Sequence, residues 1–526
     1  MVATDSYDVV VVGCGPVGAF AAIVLAQAGL RTLILDAGFE PHPLPRAVHL
    51  DHEIMRLLQS VGVVGRVAAD MRETEGHLHI GADGGVIRYL GTVGQTRPYG
   101  WANDYFFYQP DFENHLRVAL AAEPNVTLRL ATSFESLTQD RAGVTLSLAT
   151  REGPDTVRSR WVIGCDGARS AVRRQLGVEL DDLDFEEPWL VVDAEVNEPL
   201  HFPPFAGVPH GADLQRLSVM ICDPARPATI VPGRGMHRRW EFMLLPGESE
   251  EEMTHPERVQ QLIQPWLEGI AYRLLRATTY RFHGLVARQW RSERVFLAGD
   301  AAHQTPPFFG QGMCHGFRDV ANLAWKLALV VSGRANDRLL DTYQQERDPH
   351  VRAIIAAAID AGRYICVLDP REAAARDAAM RSRWVGRSSG TAADLIPALA
   401  AGAVSPGAGE RFVQPWIATE QGRMLFDDVT GTGWRLLVRD SRLLAQARTA
   451  ISRHAPELGL SVIDASAFAD DGALATWLGQ RHACAAIIRP DFYVFGLCVD
   501  AGNLEMPLKY LGDRLFLNLT DRGSHP

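Results

Sequence analysis

Val9-Val10-Val11-Val12-Gly13-Cys14-Gly15-Pro16-Val17-Gly18 is an apolar run that drops into a glycine-rich turn, followed by an alanine-rich segment ending near Gly29. Four β-branched residues in succession, without polar alternation, predict a parallel strand buried on both faces. Gly13 permits the tight turn, Gly15 lets the backbone approach a pyrophosphate that any Cβ would hold off, and Gly18 lets the next helix lie against the strand. The first amides of that helix lack intrahelical partners and carry roughly half a positive charge, so a diphosphate fits there. A second strand, Arg31 to Leu35, ends in Asp36, about twenty residues beyond the turn, where a carboxylate can accept from a ribose hydroxyl. Strand, glycine triplet, helix, strand and terminal acid in this order predict a Rossmann-like dinucleotide site.

Beyond this unit, the proline-rich Pro41 to Arg46 delivers Arg46, read as a phosphate or ribose contact, to a helix over about Asp51 to Ser60. Near Tyr105 to Leu116 a strand stops before Pro110 and a helix begins, with Gln109 at the junction, facing a ligand or capping the helix. Two further strands run into Gly/Asp turns. Trp161 to Gly164 leads into Cys165-Asp166-Gly167, and Val295 to Ala298 leads into Gly299-Asp300 and on through Pro306-Pro307-Phe308-Phe309-Gly310-Gln311-Gly312-Met313. The Gly-x-Gly segment beside a helix start offers backbone N–H groups to an anionic oxygen. Phe308 and Phe309 either line an aromatic site or fill the core. His303 reads as a turn or core histidine.

With 526 residues the chain has length for roughly two to four domains and a sizeable core. Its net charge of −11 and lack of a basic patch argue against nucleic acid and anionic membranes as partners. No signal-like N-terminus and no apolar run of roughly eighteen residues is evident, so a cytoplasmic location is expected. Seven cysteines without a Cys-x-x-Cys pair read as buried free thiols rather than disulfides or metal ligands, and no metal is expected.

The expected fold is α/β. A Rossmann-like nucleotide-binding domain spans 1–185 and 281–385, with a β-sheet substrate domain inserted at 186–280. A linker at 386–409 leads to a C-terminal unit at 410–526. A pocket between the inserted sheet and the nucleotide domain is the natural place for a substrate.

Three motifs in this order, Gly13-x-Gly15-x-x-Gly18, Cys165-Asp166-Gly167 and Gly299-Asp300, together with Arg46 and Gln109, resemble the class A flavin-dependent aromatic hydroxylases. Within that class the chain looks most like 3-(3-hydroxyphenyl)propionate hydroxylases, through Trp189 to Asp193, Cys222 to Pro227, Trp240 to Glu248, Asn322 to Ala328 and, less closely, Arg489-Pro490-Asp491. The resemblance implies a thioredoxin-like C-terminal domain without its cysteines. It also implies FAD held by Gly13, Gly15, Gly18, Asp36, Arg46, Gln109, Asp166 and Asp300, with Gly310, Gly312 and Met313 at the flavin pyrimidine edge. NADH or NADPH and O2 are the implied co-substrates, and flavin C4a-hydroperoxide would hydroxylate a phenolic acid ortho to its hydroxyl.

Asp51 matches an acidic position of the resembling enzymes, while His49 replaces a glycine there; both are candidates to accept the phenol proton. Asp51 reads equally as a helix N-cap. The expected substrate is 3-(3-hydroxyphenyl)propionate or 3-hydroxycinnamate. A resorcinol-like or polyketide phenol and a non-catalytic FAD-binding protein remain as alternatives, and oligomeric state, including a homodimer, is open. A halogenase is disfavoured because the chain lacks the Trp-x-Trp-x-Ile-Pro stretch of that group.

Overall fold

The computed structural model describes residues 6–383 and 390–517. Ser6–Val12 is the centre of a parallel sheet, flanked by Gly153–Gly164 on one side and Thr32–Leu35 on the other; Val295–Leu297 and Val126–Arg129 extend it. Val9 to Val12 are buried, as an unbroken apolar run requires when helices cover both faces. The helix Pro16–Gln27 packs on this sheet and against the helix Gly312–Val331, where Phe20 stacks on Phe317 with ring centroids 4.7 Å apart.

A second sheet of eight strands forms a layer over the first domain. Its long central strands Leu180–Val196 and Tyr272–Ala287 are antiparallel and continue through His237–Met243, Ala228–Val231 and Ser218–Ile221. It extends beyond the expected 186–280 layer, because the hairpin Gly76–Ile80 and Val86–Gly91, from within 1–185, completes its edge. Strand pairing depends on adjacent backbone hydrogen bonds rather than on order along the chain, so linear segmentation misses the hairpin.

Alternation divides the two faces of this sheet. Leu190, Val192, Ile230, Trp240 and Phe242 form an apolar face with Val259, Ile263 and Leu267 of the helix Pro256–Leu267. The opposite face carries Trp189, Met220 and Met243, which join the core of the nucleotide domain. The same face presents His77, His79, Arg88, Asp193, Arg239 and Glu241 in register across the strands.

The C-terminal unit has strand order Ser461–Asp464, Arg435–Val438, Ala485–Ile488, Val494–Cys498, the first pair parallel and the others antiparallel. Helices Leu444–His454, Ala473–Gln480 and Glu505–Arg514 connect or follow the strands, giving the thioredoxin-like βαβαββα arrangement. Of the 386–409 connection, residues 386–389 lie outside the described residues. The remainder is packed rather than free: Ile396 is buried with Ile354, and Leu399 and Val404 with Tyr493. The helix Thr342–Ile365 carries Pro349 in its interior. Among the described residues no helix is long and apolar enough to cross a membrane.

Candidate active site

The three motif turns converge. A Cβ on Gly13, whose φ is +102°, would sit 2.5 Å from the carbonyl oxygen of Cys165, and one on Gly18 would sit 1.9 Å from that of Gly13. Glycine is therefore demanded by close backbone approach at both positions. Gly299 lies beside Val17 and Gly316, which brings the third turn to the first helix.

Gly15 and Gly312 behave differently. Each stands at the start of a helix, of 12 and 20 residues respectively, and a Cβ there would meet nothing within 4 Å. These are open approaches to unpaired helix amides, a cradle that the fold itself does not fill, and they fit a diphosphate and an electron-rich heterocycle edge. Met313 is half-buried beside Gly312. Asp300 is exposed, yet surrounding protein desolvates its carboxyl and raises it above the ordinary value, with His303 and Arg46 opposing.

Other predicted contacts have protein partners. Asp36 accepts from the Cys14 N–H at 2.7 Å and the Gly38 N–H at 2.7 Å, tying the end of the second strand to the glycine turn. Asp166 accepts from Ser170 Oγ at 2.5 Å and the Ala171 N–H at 2.7 Å, capping the helix Ala171–Gln175. Gln109 Oε1 accepts from the N–H groups of Arg46 at 2.9 Å and Ala47 at 2.7 Å, and its Nε2 donates to Glu113. Its amide thus shapes the loop that carries Arg46, whose own side chain is exposed. From the other side, buried Arg239 donates to the carbonyls of Pro45 at 2.7 Å and Arg46 at 2.8 Å while bound to Asp193.

Asp51 is the N-cap of the helix His52–Ser60. Its Oδ1 accepts from the N–H groups of Glu53 at 3.0 Å and Ile54 at 3.3 Å, and its Oδ2 is bound by Arg318. Burial opposes ionisation, but Arg318 outweighs it and holds the carboxyl below its ordinary range. With both oxygens engaged and the residue fully buried, Asp51 is placed to organise the helix rather than to receive a substrate proton.

His49 is also buried, but its partners are a carboxylate and a carbonyl rather than a guanidinium. Its Nε2 is 2.9 Å from Asp104 Oδ1 and its Nδ1 is 3.3 Å from the Gly310 carbonyl oxygen. Gly310 is left-handed at φ +62°, and a Cβ there would lie 2.5 Å from His49 Nδ1, so only glycine lets the 310–313 loop meet this imidazole. Burial lowers the His49 pKa, but the Asp104 hydrogen bond and charge more than offset it and the net shift is upward.

Sequence reading missed the surrounding groups. His77, on the substrate sheet, has its ring centroid 5.9 Å from that of His49 and 6.4 Å from that of Phe309. Both of its nitrogens, Asp104 Oδ2 and His79 Nε2 are buried without a hydrogen-bond partner, a concentration of unmet polar groups that a polar ligand relieves. Burial pushes His77 down to about 4, so it is a neutral donor and acceptor at ordinary pH. Arg88 lies 5.9 Å from the Phe309 ring centroid and donates to Tyr364 Oη at 3.3 Å. Among the described residues it makes no ion pair. Glu241 is raised by burial to about 7. No metal-ligand spacing is visible along the chain, yet His49, His77 and Asp104 bring ligand-type atoms within 4.8 Å of one another. Of the three, His49 and Asp104 are joined by a hydrogen bond and His77 is not. No local signal pointed to His77 or Asp104, because strands far apart in sequence bring them to His49.

Phe308 packs among Phe185, Trp189 and Phe282, while Phe309 faces His77 and Arg88, so the pair divides between core and site. His303 is buried and bonded to Asp319 at 2.7 Å. The cysteines are free, and burial raises Cys14 and Cys222 to about 12, a setting of inert thiols.

Residues 6–358 match the family model described as FAD binding domain, and 409–510 the HcaD C-terminal domain. A probable NADH-specific resorcinol 4-hydroxylase of Rhodococcus jostii (strain RHA1) is 36% identical over 511 residues, covering 94% of this chain and 93% of its own. A 3-(3-hydroxy-phenyl)propionate/3-hydroxycinnamic acid hydroxylase of Mycobacterium sp. (strain KMS) is 34% identical, covering 98% and 92%. Among solved structures, aklavinone-11 hydroxylase with FAD and aklavinone superposes with a TM-score of 0.77 at 25% identity, covering 97% of this chain and 99% of that one. The flavin-dependent monooxygenase PieE shares the fold, with a TM-score of 0.80 at 23% identity and coverage of 97% and 99%. Motifs, fold and relatives agree: the chain belongs to the class A FAD-dependent aromatic hydroxylases, built on this FAD-binding domain.

Proposed function

We propose that this enzyme uses NAD(P)H and O2 to hydroxylate a phenolic acid ortho to its hydroxyl, converting phenol, NAD(P)H, H+ and O2 into catechol, NAD(P)+ and water. 3-(3-Hydroxyphenyl)propionate and 3-hydroxycinnamate are the substrates that fit this reading. Bound FAD supplies the redox chemistry, accepting a hydride and delivering one oxygen atom of O2 to the ring. The amides at the start of Gly312–Val331 stabilise negative charge at the cofactor edge, and the substrate sheet keeps water from the reacting centre.

The observation that carries the reading is the buried His49–Asp104 pair against Gly310, the glycine of the cofactor loop. Neutral His49 takes the phenol proton at Nδ1, and the imidazolium is then held between the Asp104 carboxylate and the Gly310 carbonyl. Losing that proton makes the ring electron-rich at the ortho carbon. Arg88, which meets the same Phe309 ring as His77, is a cation suited to a substrate carboxylate.

A second reading has its own observation. His77, neutral and with both nitrogens unpartnered, suits a second ring hydroxyl, which favours a resorcinol-type substrate like that in the name of the Rhodococcus relative. The test is anaerobic reduction of the flavin by NADH or NADPH with each phenol, followed by oxygenation with labelled O2. A hydroxylase is reduced much faster with its phenol present and places one labelled atom in the product. Reduction that ignores every phenol, with peroxide as the sole product, would overturn the reading.

A further inference from the structure

Arg318 lies two turns into the helix Gly312–Val331 and is 2% exposed. Its guanidinium joins residues that belong to different walls of the site. Nη1 donates to Gln311 Oε1 at 2.9 Å, in the loop between Gly310 and Gly312. Nη2 binds Asp51, the cap of the helix that follows His49. Nε donates to Glu53 Oε2 at 2.7 Å.

Glu53 carries the connection outward. Its Oε1 accepts from Tyr493 Oη of the C-terminal unit at 2.9 Å, and Arg411 Nη1 stands 3.5 Å from its Oε2. The same unit grips the helix further along, where Asp491 accepts from Trp325 Nε1 at 3.3 Å and Asn322 Nδ2 at 3.4 Å. Arg489 donates to Glu346 at 2.8 Å, and Glu346 accepts from Asn322 at 2.6 Å. A buried ionic chain of this kind stabilises a fold poorly compared with apolar packing, but it specifies one geometry, because each member is satisfied in only one arrangement.

We propose that Arg318 is a positioning residue through which the C-terminal thioredoxin-like unit, by way of Tyr493 and Glu53, sets the cofactor loop 310–313 and the His49 strand relative to each other. The unit, which lacks a Cys-x-x-Cys pair, then serves the site as a brace instead of a redox module. This inference rests on the flavin-site reading.

The test uses full-length holoenzyme. Tyr493→Phe removes one hydroxyl without changing ring volume, and Glu53→Gln removes the charge while keeping the shape. Arg481→Gln, which breaks the pair with Glu410 inside the C-terminal unit, is the comparison. Three quantities are read: the FAD dissociation constant, the visible spectrum of bound flavin, and the fraction of reduced flavin lost as peroxide. Tyr493→Phe and Glu53→Gln are expected to weaken FAD binding by roughly threefold to tenfold, to shift the flavin spectrum and to raise peroxide loss. Arg481→Gln should leave all three unchanged. The proposal is overturned if the two relay variants lower the melting temperature but keep wild-type affinity, spectrum and coupling, which is the signature of a purely structural contact. A wild-type protein that binds no flavin would instead defeat the cofactor reading beneath it.

Discussion

His49 Nε2 lies 2.9 Å from Asp104 Oδ1, while a Cβ on Gly310 would lie 2.5 Å from the opposite ring nitrogen, so this imidazole is wedged between a carboxylate and the cofactor loop. The pair joins the strand His49–Asp51 to the strand Asp104–Phe106, which are antiparallel neighbours with His49 opposite Phe106. Backbone register therefore sets the position of His49, the proposed proton acceptor, before any side-chain choice is made.

Its titration follows from that setting. Asp104 raises the His49 pKa against the effect of burial, so the neutral, proton-accepting form grows as pH rises through a value above the ordinary 6.5. The kcat/KM profile should climb over that range. In Asp104→Asn the raising interaction is lost and the climb moves to lower pH with a lower plateau. His49→Ala should reduce kcat/KM by about a hundredfold or more, with NAD(P)H-dependent flavin reduction much less affected. Glu241, at about 7, titrates nearby, but its climb would stay in place in Asp104→Asn. A profile unmoved by that substitution would assign the limb to another group.

The two kinds of glycine should separate binding from folding. Gly15 has φ −72°, which alanine adopts freely, and its added Cβ would meet only open space. Gly15→Ala should keep the melting temperature of the apoprotein and weaken FAD binding by roughly tenfold, about 1.4 kcal/mol. Gly18→Ala drives a Cβ into the Gly13 carbonyl and should destabilise the apoprotein itself. Thermal unfolding with and without FAD distinguishes these outcomes.

On the proposed reading, substrate choice divides between Arg88 and His77. Arg88→Met should raise KM for 3-(3-hydroxyphenyl)propionate by roughly tenfold to a hundredfold, the loss of a charge-assisted contact, and change KM for resorcinol little. His77→Phe should do the reverse. Steady-state kinetics with product identification reads both, and an Arg88→Met enzyme with unaltered KM for the acid would remove the carboxylate role.

The interface with the C-terminal unit should fail in acid. Burial would raise the Glu346 carboxyl, but Arg489 and Lys326 outweigh it and hold it at about 2, below the ordinary 4.5. A carboxyl depressed in the folded state adds stability that is fully present above the unfolded value and is lost as pH falls through the folded one. The melting temperature should therefore drop between about pH 5 and pH 2, with a shallower dependence in Glu346→Gln. At neutral pH that variant should be less stable by about 3 kcal/mol, since it leaves Lys326 buried without its main counter-charge and Arg489 with Asp491 alone.

Residues in continuous runs were legible from the chain. Val9 to Gly18 specify strand, turn and helix through local sterics alone, and the later Gly-Asp turns announce strand ends in the same way. The C-terminal strand Ala485–Ile488 is marked in the same way, as a short apolar run bounded by a turn on each side. Asp51 shows the limit. Its type and position fit a helix cap and an acceptor for the phenol proton equally well, and the Arg318 guanidinium that engages its second oxygen comes from more than two hundred residues away.

What the sequence by itself determined is the set of elements and the nucleotide-binding turn, because backbone conformation, burial periodicity and glycine sterics act over a few residues. Only the tertiary structure decided which polar side chains share the pocket. His49, His77, Asp104 and Arg88 come from four strands in two sheets, and nothing in their neighbours along the chain records that they meet. Their pairing follows from strand register and from the packing of the second sheet over the first domain, and these are properties of the whole fold.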